Sequence, residues 1–153
     1  MWSQTVISGE PRLLIVDGSG DVHGWESEFC DRIWNVLARK GFRLVGEAPV
    51  RAKKPEDLAE PCRDQDSFNC MFLACYGKAT HSDQSSLAAY WDWLSQHQGL
   101  DPKLLAVCTW EDHDAETSQS ILESGDNVAS LAVAPQSPLS PRAAGLFYMK
   151  FFT

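Results

Sequence analysis

The chain has 153 residues, of which 44% are hydrophobic and 22% are charged, proportions typical of a globular domain that is soluble. Its net charge is −8, and its one basic cluster is the short segment Arg51–Lys54, which argues against a nucleic-acid partner. No apolar run reaches the ~18–20 residues that span a bilayer, so no membrane partner is expected. The length predicts a single domain over residues 1–153.

The five cysteines are typical of reduced thiols rather than of a disulfide framework. Their number is odd, and Cys70, Cys75 and Cys108 lie in or at the ends of apolar, strand-like runs. The segment Met1–Ser8 lacks the basic region and apolar stretch of a secretory signal, so we expect a cytoplasmic protein. No C-x-x-C pair occurs and the histidines lack zinc-ligand spacing, so neither a metal nor a cofactor is predicted.

In the first half of the chain, a buried strand is followed by a helix and an edge strand. Arg12–Asp17 contains four apolar residues in a row, the pattern of a strand covered on both faces. Glycines in the turn that follows, Asp17–Asp21, allow a tight reversal. A helix is predicted over Trp25–Lys40, and the alternating segment Phe42–Gly46 is predicted to be a strand towards the edge of the sheet. The predicted inner face of the helix consists of Trp25, Phe29, Ile33, Val36 and Leu37.

The second half of the chain repeats this alternation. After a proline-punctuated crossover with a short helix at Pro55–Glu60, the apolar run Phe68–Gly77 is predicted to be the third strand. A helix over Ser86–Gln98 follows, and its predicted inner face consists of Leu87, Tyr90, Trp91 and Leu94. The remaining elements are a strand over Lys103–Thr109, a helix over Ala115–Glu123, a strand over Asp126–Ala134 and a last helix that begins at Pro141.

Strands that alternate with helices indicate a parallel sheet with helices on both faces. We therefore predict an α/β fold of three layers, α/β/α, around a mostly parallel sheet of five strands. The pattern of the last helix is interrupted at Thr153, so we expect the chain to be an excerpt from a longer protein.

The turn Asp17-Gly-Ser-Gly-Asp21 occupies the place of a phosphate-binding loop, between a strand and a helix. It lacks the third glycine of G-x-G-x-x-G, and the carboxylates of Asp17 and Asp21 would repel a phosphate. A structural turn is therefore the prediction. A flavodoxin-like ligand-binding domain is an alternative, which a nucleotide or flavin bound at Gly18–Gly20 would support.

Two predicted strand ends carry side chains that are capable of chemistry. Phe68–Gly77 ends in Cys-Tyr-Gly, and Lys103–Thr109 contains Cys108 near its end. In an open α/β sheet, sites form at the carboxyl ends of the strands. If these two strands are neighbours, Cys108 lies beside the end of the other strand.

The motifs at these strand ends resemble those of the caspase-like (clan CD) cysteine peptidases, most closely the CHAT branch. Phe72–Gly77 is similar to the family's hydrophobic-Ala-Cys-His-Gly, and Leu104–Thr109 is similar to its Leu-Ser-Ala-Cys-Glu-Thr. Gln119–Val133 is similar to its small helix and Gly-Ala-x-x-Val-Val-Ala strand, and Ser140–Phe152 to its last helix. The resemblance spans residues 66–152 and implies a caspase-like (CHAT-like) fold.

The resemblance implies a catalytic dyad in which Cys108 is the nucleophile and Tyr76, followed by Gly77, takes the position of the family's histidine. A phenol is neutral at pH 7 and is a poor partner for a thiol. We therefore expect a catalytically degenerate module, a pseudo-protease, that acts in protein–protein association in signalling or defence. Its partner is expected to be a protein, and a homo-oligomer is also open.

An active cysteine peptidase is the alternative function. His81 lies five residues after Tyr76, and His113 lies five residues after Cys108. Either imidazole could act as a displaced base if it came within about 4 Å of the Cys108 sulfur in a solvent-accessible site.

Spare aromatic residues would favour a docking surface if they were exposed. Trp34 and Trp93 fall off the predicted inner faces of their helices. The other aromatic residues considered for this surface are Tyr148, Phe151 and Phe152.

Overall fold

The computed structural model describes residues 12–21, 24–63, 68–76, 85–97, 104–110 and 131–133, and residues 142, 143, 145, 146 and 150 near the C-terminus. Its strands are β1 (Arg12–Asp17), β2 (Arg43–Leu44), β3 (Val50–Arg51), β4 (Cys70–Tyr76), β5 (Leu104–Trp110) and β6 (Leu131–Val133). Its helices are α1 (Glu26–Arg39) and α2 (Leu87–Gln96), with a 3-10 turn over Pro55–Leu58. The described residues near the C-terminus are helical.

The strands form one sheet in the order β2-β1-β4-β5-β6, and every pairing between them is parallel. β4 pairs with one edge of β1 along most of its length. β2 pairs with the start of β1, and β3 pairs with its end, so both lie on the other edge. The sheet is therefore five strands wide, as predicted, and its outermost position is shared by two short strands.

Helices cover both faces of this sheet. Successive residues of each strand point to opposite sides, so each strand contributes side chains to two cores. Leu13 and Ile15 of β1 belong to the core beneath α1. Leu14 and Val16 belong to the core beneath α2 and the 3-10 turn. The predicted three-layer α/β class with a mostly parallel sheet is thus confirmed.

The predicted edge strand Phe42–Gly46 is shorter than expected, and a second edge strand was not predicted. Only Arg43–Leu44 pairs with β1, after which Gly46 adopts a φ of +79° and turns the chain aside. Pairing resumes at Val50–Arg51, within the segment assigned to the crossover. The edge position itself is confirmed.

The inner face of α1 is shifted by one residue from the predicted face. Its buried residues are Glu26, Cys30, Ile33 and Leu37. Trp25, Phe29 and Val36 are only half-buried. The reason is that part of the apolar surface of α1 faces the C-terminal helical residues, since a Cβ added at Gly145 would lie 3.6 Å from Phe29 Cε2.

The face predicted for α2 is confirmed, since Leu87, Tyr90, Trp91 and Leu94 are all buried. Its first turn is capped by Ser86, whose side-chain oxygen accepts a hydrogen bond from Ala89 N at 3.3 Å. Neither α1 nor α2 is long and apolar enough to cross a membrane. The predicted helix over residues 115–123 and the predicted helix start at residue 141 lie outside the described residues.

Candidate functional site

The two strand ends that carry the candidate residues are neighbours, which meets the condition set in the sequence analysis. β4 and β5 run in register from Cys70, opposite Leu104, to Tyr76, opposite Trp110. Ala74 lies opposite Cys108, and Tyr76 is two residues further along β4. Tyr76 and Cys108 therefore lie on the same face of the sheet, the face that α1 covers.

Tyr76 is held by a carboxylate from α1. Its hydroxyl donates a hydrogen bond to Oε1 of Glu26, the first residue of the helix. Glu26 is 0% exposed and Tyr76 is 2% exposed. The helix N-terminus favours negative charge there, and the hydrogen bond offsets part of the cost of burying the carboxylate. Tyr76 is thus a core residue of this fold.

Cys108 is fully buried beneath α1. Burial raises the pKa of its thiol well above the ordinary value, and the neighbouring Cys75 raises it further. A cysteine nucleophile must be a thiolate and must reach its substrate. In the described conformation, Cys108 is instead a neutral thiol that has no access to solvent.

The other cysteines share this environment, and all five are free and buried. Burial raises the pKa of Cys30 well above its usual value, and Asp17 and Cys108 add to the effect. Burial raises the pKa of Cys75 in the same way, with a contribution from Asp17. Burial also raises the pKa of Cys62, to about 11. These thiols behave as small apolar residues of the core.

The remaining candidate residues, Gly77, His81 and His113, lie outside the described residues, so a displaced base for Cys108 stays a prediction. His97, at the end of α2, is exposed and stacks on Trp93 with a ring distance of 3.8 Å. Within the described ranges, no group of three or more His, Cys, Asp or Glu side chains could hold a metal ion.

A second polar cluster surrounds Asp17 at the carboxyl end of β1. Asp17 is only 3% exposed. Its Oδ1 accepts hydrogen bonds from the backbone N and the hydroxyl of Ser19, at 3.0 and 2.5 Å. Its Oδ2 accepts from the Ser27 hydroxyl at 2.7 Å and from Arg51 Nη1 at 2.9 Å. Arg51 also pairs with Asp31 at 2.5 Å. The carboxylate therefore joins the turn to both α1 and β3.

The turn after β1 is closed from the other side by Tyr90 of α2. The Tyr90 hydroxyl donates to the Ala52 carbonyl at 2.5 Å and lies 3.3 Å from the Gly18 carbonyl. A Cβ added at Gly18 would lie 3.0 Å from Tyr90 Cζ, so only glycine fits without displacement. Asp17-Gly-Ser-Gly-Asp21 is thus a packed structural turn, as predicted, and not an open phosphate loop.

A small cavity of ≈190 Å³ lies beside this turn. Its walls include the carboxylates of Asp17 and Asp21 and the cations of Arg51 and Lys53. Because opposite charges line it in equal number, the cavity lacks the surplus of donors that an anion site requires.

Two contacts of the candidate site could not be derived from the sequence. The face predicted from apolar residues omits Glu26, although Glu26 recurs with Cys30, Ile33 and Leu37 at helical spacing. In the sequence, Arg51 is recognised only as part of a basic cluster.

The tryptophans proposed for an exposed surface, Trp34 and Trp93, are half-buried and pack against the core. Tyr148, Phe151 and Phe152 lie outside the described residues.

None of the protein-family models compared with the chain matches it, and no match is found among the curated proteins or the solved structures. The caspase-like resemblance therefore rests on the motifs at the strand ends.

Proposed function

We propose that the chain is a catalytically degenerate caspase-like (CHAT-like) module that acts in protein–protein association, in signalling or defence. One observation carries the proposal. Tyr76, at the position of the family's histidine, donates a hydrogen bond from its hydroxyl to the buried carboxylate of Glu26 within the core. A side chain engaged in this way is not a base for a thiol.

The state of Cys108 supports the same proposal. A working dyad needs a thiolate that is open to substrate, and here the thiol is fully buried and its pKa is raised by that burial. Both halves of the implied dyad therefore serve packing. A domain that has lost catalytic residues but still folds can act as a binding module, because binding depends on the surface residues that the fold presents.

The test is the reactivity of Cys108 in the folded protein. The purified chain is incubated with a peptidyl chloromethyl ketone and, separately, with a mixed set of fluorogenic peptides, and adducts are located by mass spectrometry. We expect neither an adduct at Cys108 nor cleavage. Protein unfolded in urea and treated with iodoacetamide is the positive control for thiol detection.

A Cys108-dependent adduct with the ketone, absent from the Cys108→Ser variant, would contradict the proposal and favour the active peptidase. Cleavage of a peptide that is lost in the same variant would do so as well. An adduct that persists in Cys108→Ser would instead identify a different thiol.

The strand order favours a second candidate function, ligand binding by a flavodoxin-like domain. In sheets with this order, ligands bind outside the carboxyl ends of the strands, where the direction of the connections reverses. The ≈190 Å³ cavity beside Asp17 lies at this end of β1. Titration with FMN and with ATP, followed by calorimetry, is the test. Saturable binding of either ligand would support this candidate, and the absence of binding would exclude it.

A further inference from the structure

A surface groove runs between α1 and the helical residues near the C-terminus. It contains two cavities of ≈480 and ≈280 Å³. Phe29, Arg32 and Arg142 line both of them, so the two cavities adjoin. Trp25 adds an aromatic wall to the larger cavity, and Leu146 adds an aliphatic wall to the smaller one. The larger cavity has the size of pockets that hold small molecules or several side chains.

The groove brings exposed and half-buried apolar side chains together. Leu146 is 67% exposed and is the one large apolar side chain that is exposed in the described part of the chain. Trp25 and Phe29 are half-buried in the same groove. Aromatic and aliphatic side chains that are concentrated in a concave surface are typical of protein interaction sites.

The charge of the groove differs from that of the chain as a whole. Arg32 pairs with Glu28 at 2.6 Å, so these two charges offset each other. Arg142 makes no ion pair or hydrogen bond with the described residues. Among the described residues that line the groove, Arg142 is therefore the charged side chain that is not offset, on a chain whose net charge is −8.

We infer that this groove binds a peptide segment of a partner protein in which apolar side chains lie next to a carboxylate. The inference rests on the proposed function in protein association. The apolar side chains fill the space between Phe29 and Leu146, and the carboxylate pairs with Arg142. The Debye length is about 8 Å at physiological salt, so the chain's distant negative charges are screened while Arg142 acts at contact distance.

Two other occupants fit the groove less well. A nucleic acid needs many cations along its backbone, and the described lining of the groove offers one that is unpaired. A second copy of this chain would bring another net charge of −8 to the interface, and like charges disfavour association.

The test starts from a random dodecapeptide library displayed on phage and selected on the purified chain. We expect the selected peptides to share aromatic or aliphatic residues beside Asp or Glu. A synthetic consensus peptide, labelled with fluorescein, is then titrated against wild type and variants by fluorescence anisotropy. Arg142→Glu is expected to weaken binding by about tenfold or more, because it places like charges in contact. Leu146→Ser is expected to weaken it by a similar factor through lost apolar contact.

Arg63→Glu is the matched control, because Arg63 is also exposed but lies outside the groove, where it pairs with Glu60. This variant is expected to bind the peptide as wild type does. All three substitutions fall on exposed residues, and circular dichroism with thermal unfolding establishes that each variant is folded.

The inference would be overturned by the absence of an enriched sequence, by a consensus that lacks acidic residues, or by binding that is unchanged in Arg142→Glu and Leu146→Ser. A dimer in sedimentation velocity that Leu146→Ser dissociates would also overturn it, since the occupant would then be a second copy. None of these results bears on Cys108, so the proposed function would still hold if the groove did not bind such a peptide. An adduct at Cys108 would instead remove the proposed function itself.

Discussion

The hydroxyl of Tyr76 on β4 donates a hydrogen bond to the carboxylate of Glu26 on α1, although fifty residues separate them in the chain. The bond joins the central strand of the sheet to the helix above it, and both side chains are withdrawn from solvent. Because a buried carboxylate is costly without hydrogen bonds, the stability of the fold depends on Tyr76.

A double-mutant cycle tests this contact. Tyr76→Phe is expected to lower the free energy of unfolding by about 1–3 kcal/mol, because a buried acceptor loses a hydrogen bond. Glu26→Met removes the acceptor. The double variant should be less destabilised than the sum of the two single variants, by about 0.5–3 kcal/mol in urea denaturation. A control cycle pairs Tyr90→Phe with Glu26→Met, because the Tyr90 hydroxyl bonds the Ala52 carbonyl on the other face and should not be coupled to Glu26. A coupling free energy between Tyr76 and Glu26 as small as that of the control cycle would contradict the contact.

Arg51 bridges two carboxylates of different burial, Asp17 at 3% and Asp31 at 47% side-chain exposure. Asp17→Asn is expected to cost about 1.5–3 kcal/mol, because it weakens several hydrogen bonds to a buried charge. Asp31→Asn is expected to cost less than about 1 kcal/mol, as exposed ion pairs do. Urea denaturation at low and high salt measures both, and salt should reduce only the Asp31 contribution. Equal losses would show that burial does not distinguish the pairs.

The buried thiols predict a loss of stability in alkali. Burial raises the pKa values of Cys30, Cys75 and Cys108 in the folded protein. In the unfolded chain a thiol titrates at about 8.5. The stabilisation is therefore complete below about pH 8.5 and falls as pH rises, by up to roughly 1.4 kcal/mol per pH unit for each thiol.

Urea denaturation measures the dependence of the free energy of unfolding on pH. A range from about pH 7 to pH 9.5 spans the titration of an unfolded thiol. The Cys108→Ala variant should show a shallower decline than wild type, whatever its absolute stability. A wild-type stability that is level across this range would contradict the burial of the thiols.

The contact of Gly18 with Tyr90 predicts crowding rather than backbone strain. Gly18→Ala is expected to cost about 1–3 kcal/mol, since its Cβ would lie 3.0 Å from Tyr90 Cζ. Gly20→Ala meets no atom within 4 Å, but its φ of +71° makes it costly by about 1–2 kcal/mol. A Tyr90→Leu background should relieve the cost of Gly18→Ala but not that of Gly20→Ala. Thermal unfolding of the two glycine variants, of Tyr90→Leu and of the two double variants measures this, and no relief would exclude crowding.

The central strands could be predicted closely from the sequence. β1 matches its predicted range, and β4 and β5 lie within or next to theirs, because strands buried on both faces appear as continuous apolar runs. The neighbouring placement of Tyr76 and Cys108 follows from the pairing of β4 with β5. The strand ranges depend on local patterns, which a sequence displays directly, whereas the pairing of β4 with β5 entered the sequence analysis only as a condition.

The polar contacts could not be predicted in the same way. Apolar periodicity counts hydrophobic residues, so it assigned Trp25 and Phe29 to the inner face of α1 and left Glu26 outside. The burial of Glu26 depends on a tyrosine from a distant strand. The Asp17–Arg51 pair depends on β3, which has two residues and is too short to show any period. Long-range polar contacts leave no local signal.

The division of the sheet edge between β2 and β3 also limits unwanted assembly. A long, uniform edge strand offers a row of free N–H and C=O groups to which another chain can add in register. Here the edge consists of two strands of two residues each, separated by a bend at Gly46. Pro49, which has no N–H, precedes the second strand, and Arg43 and Arg51 are exposed on the edge. Charge, proline and interruption together make this edge a poor template for cross-β aggregation.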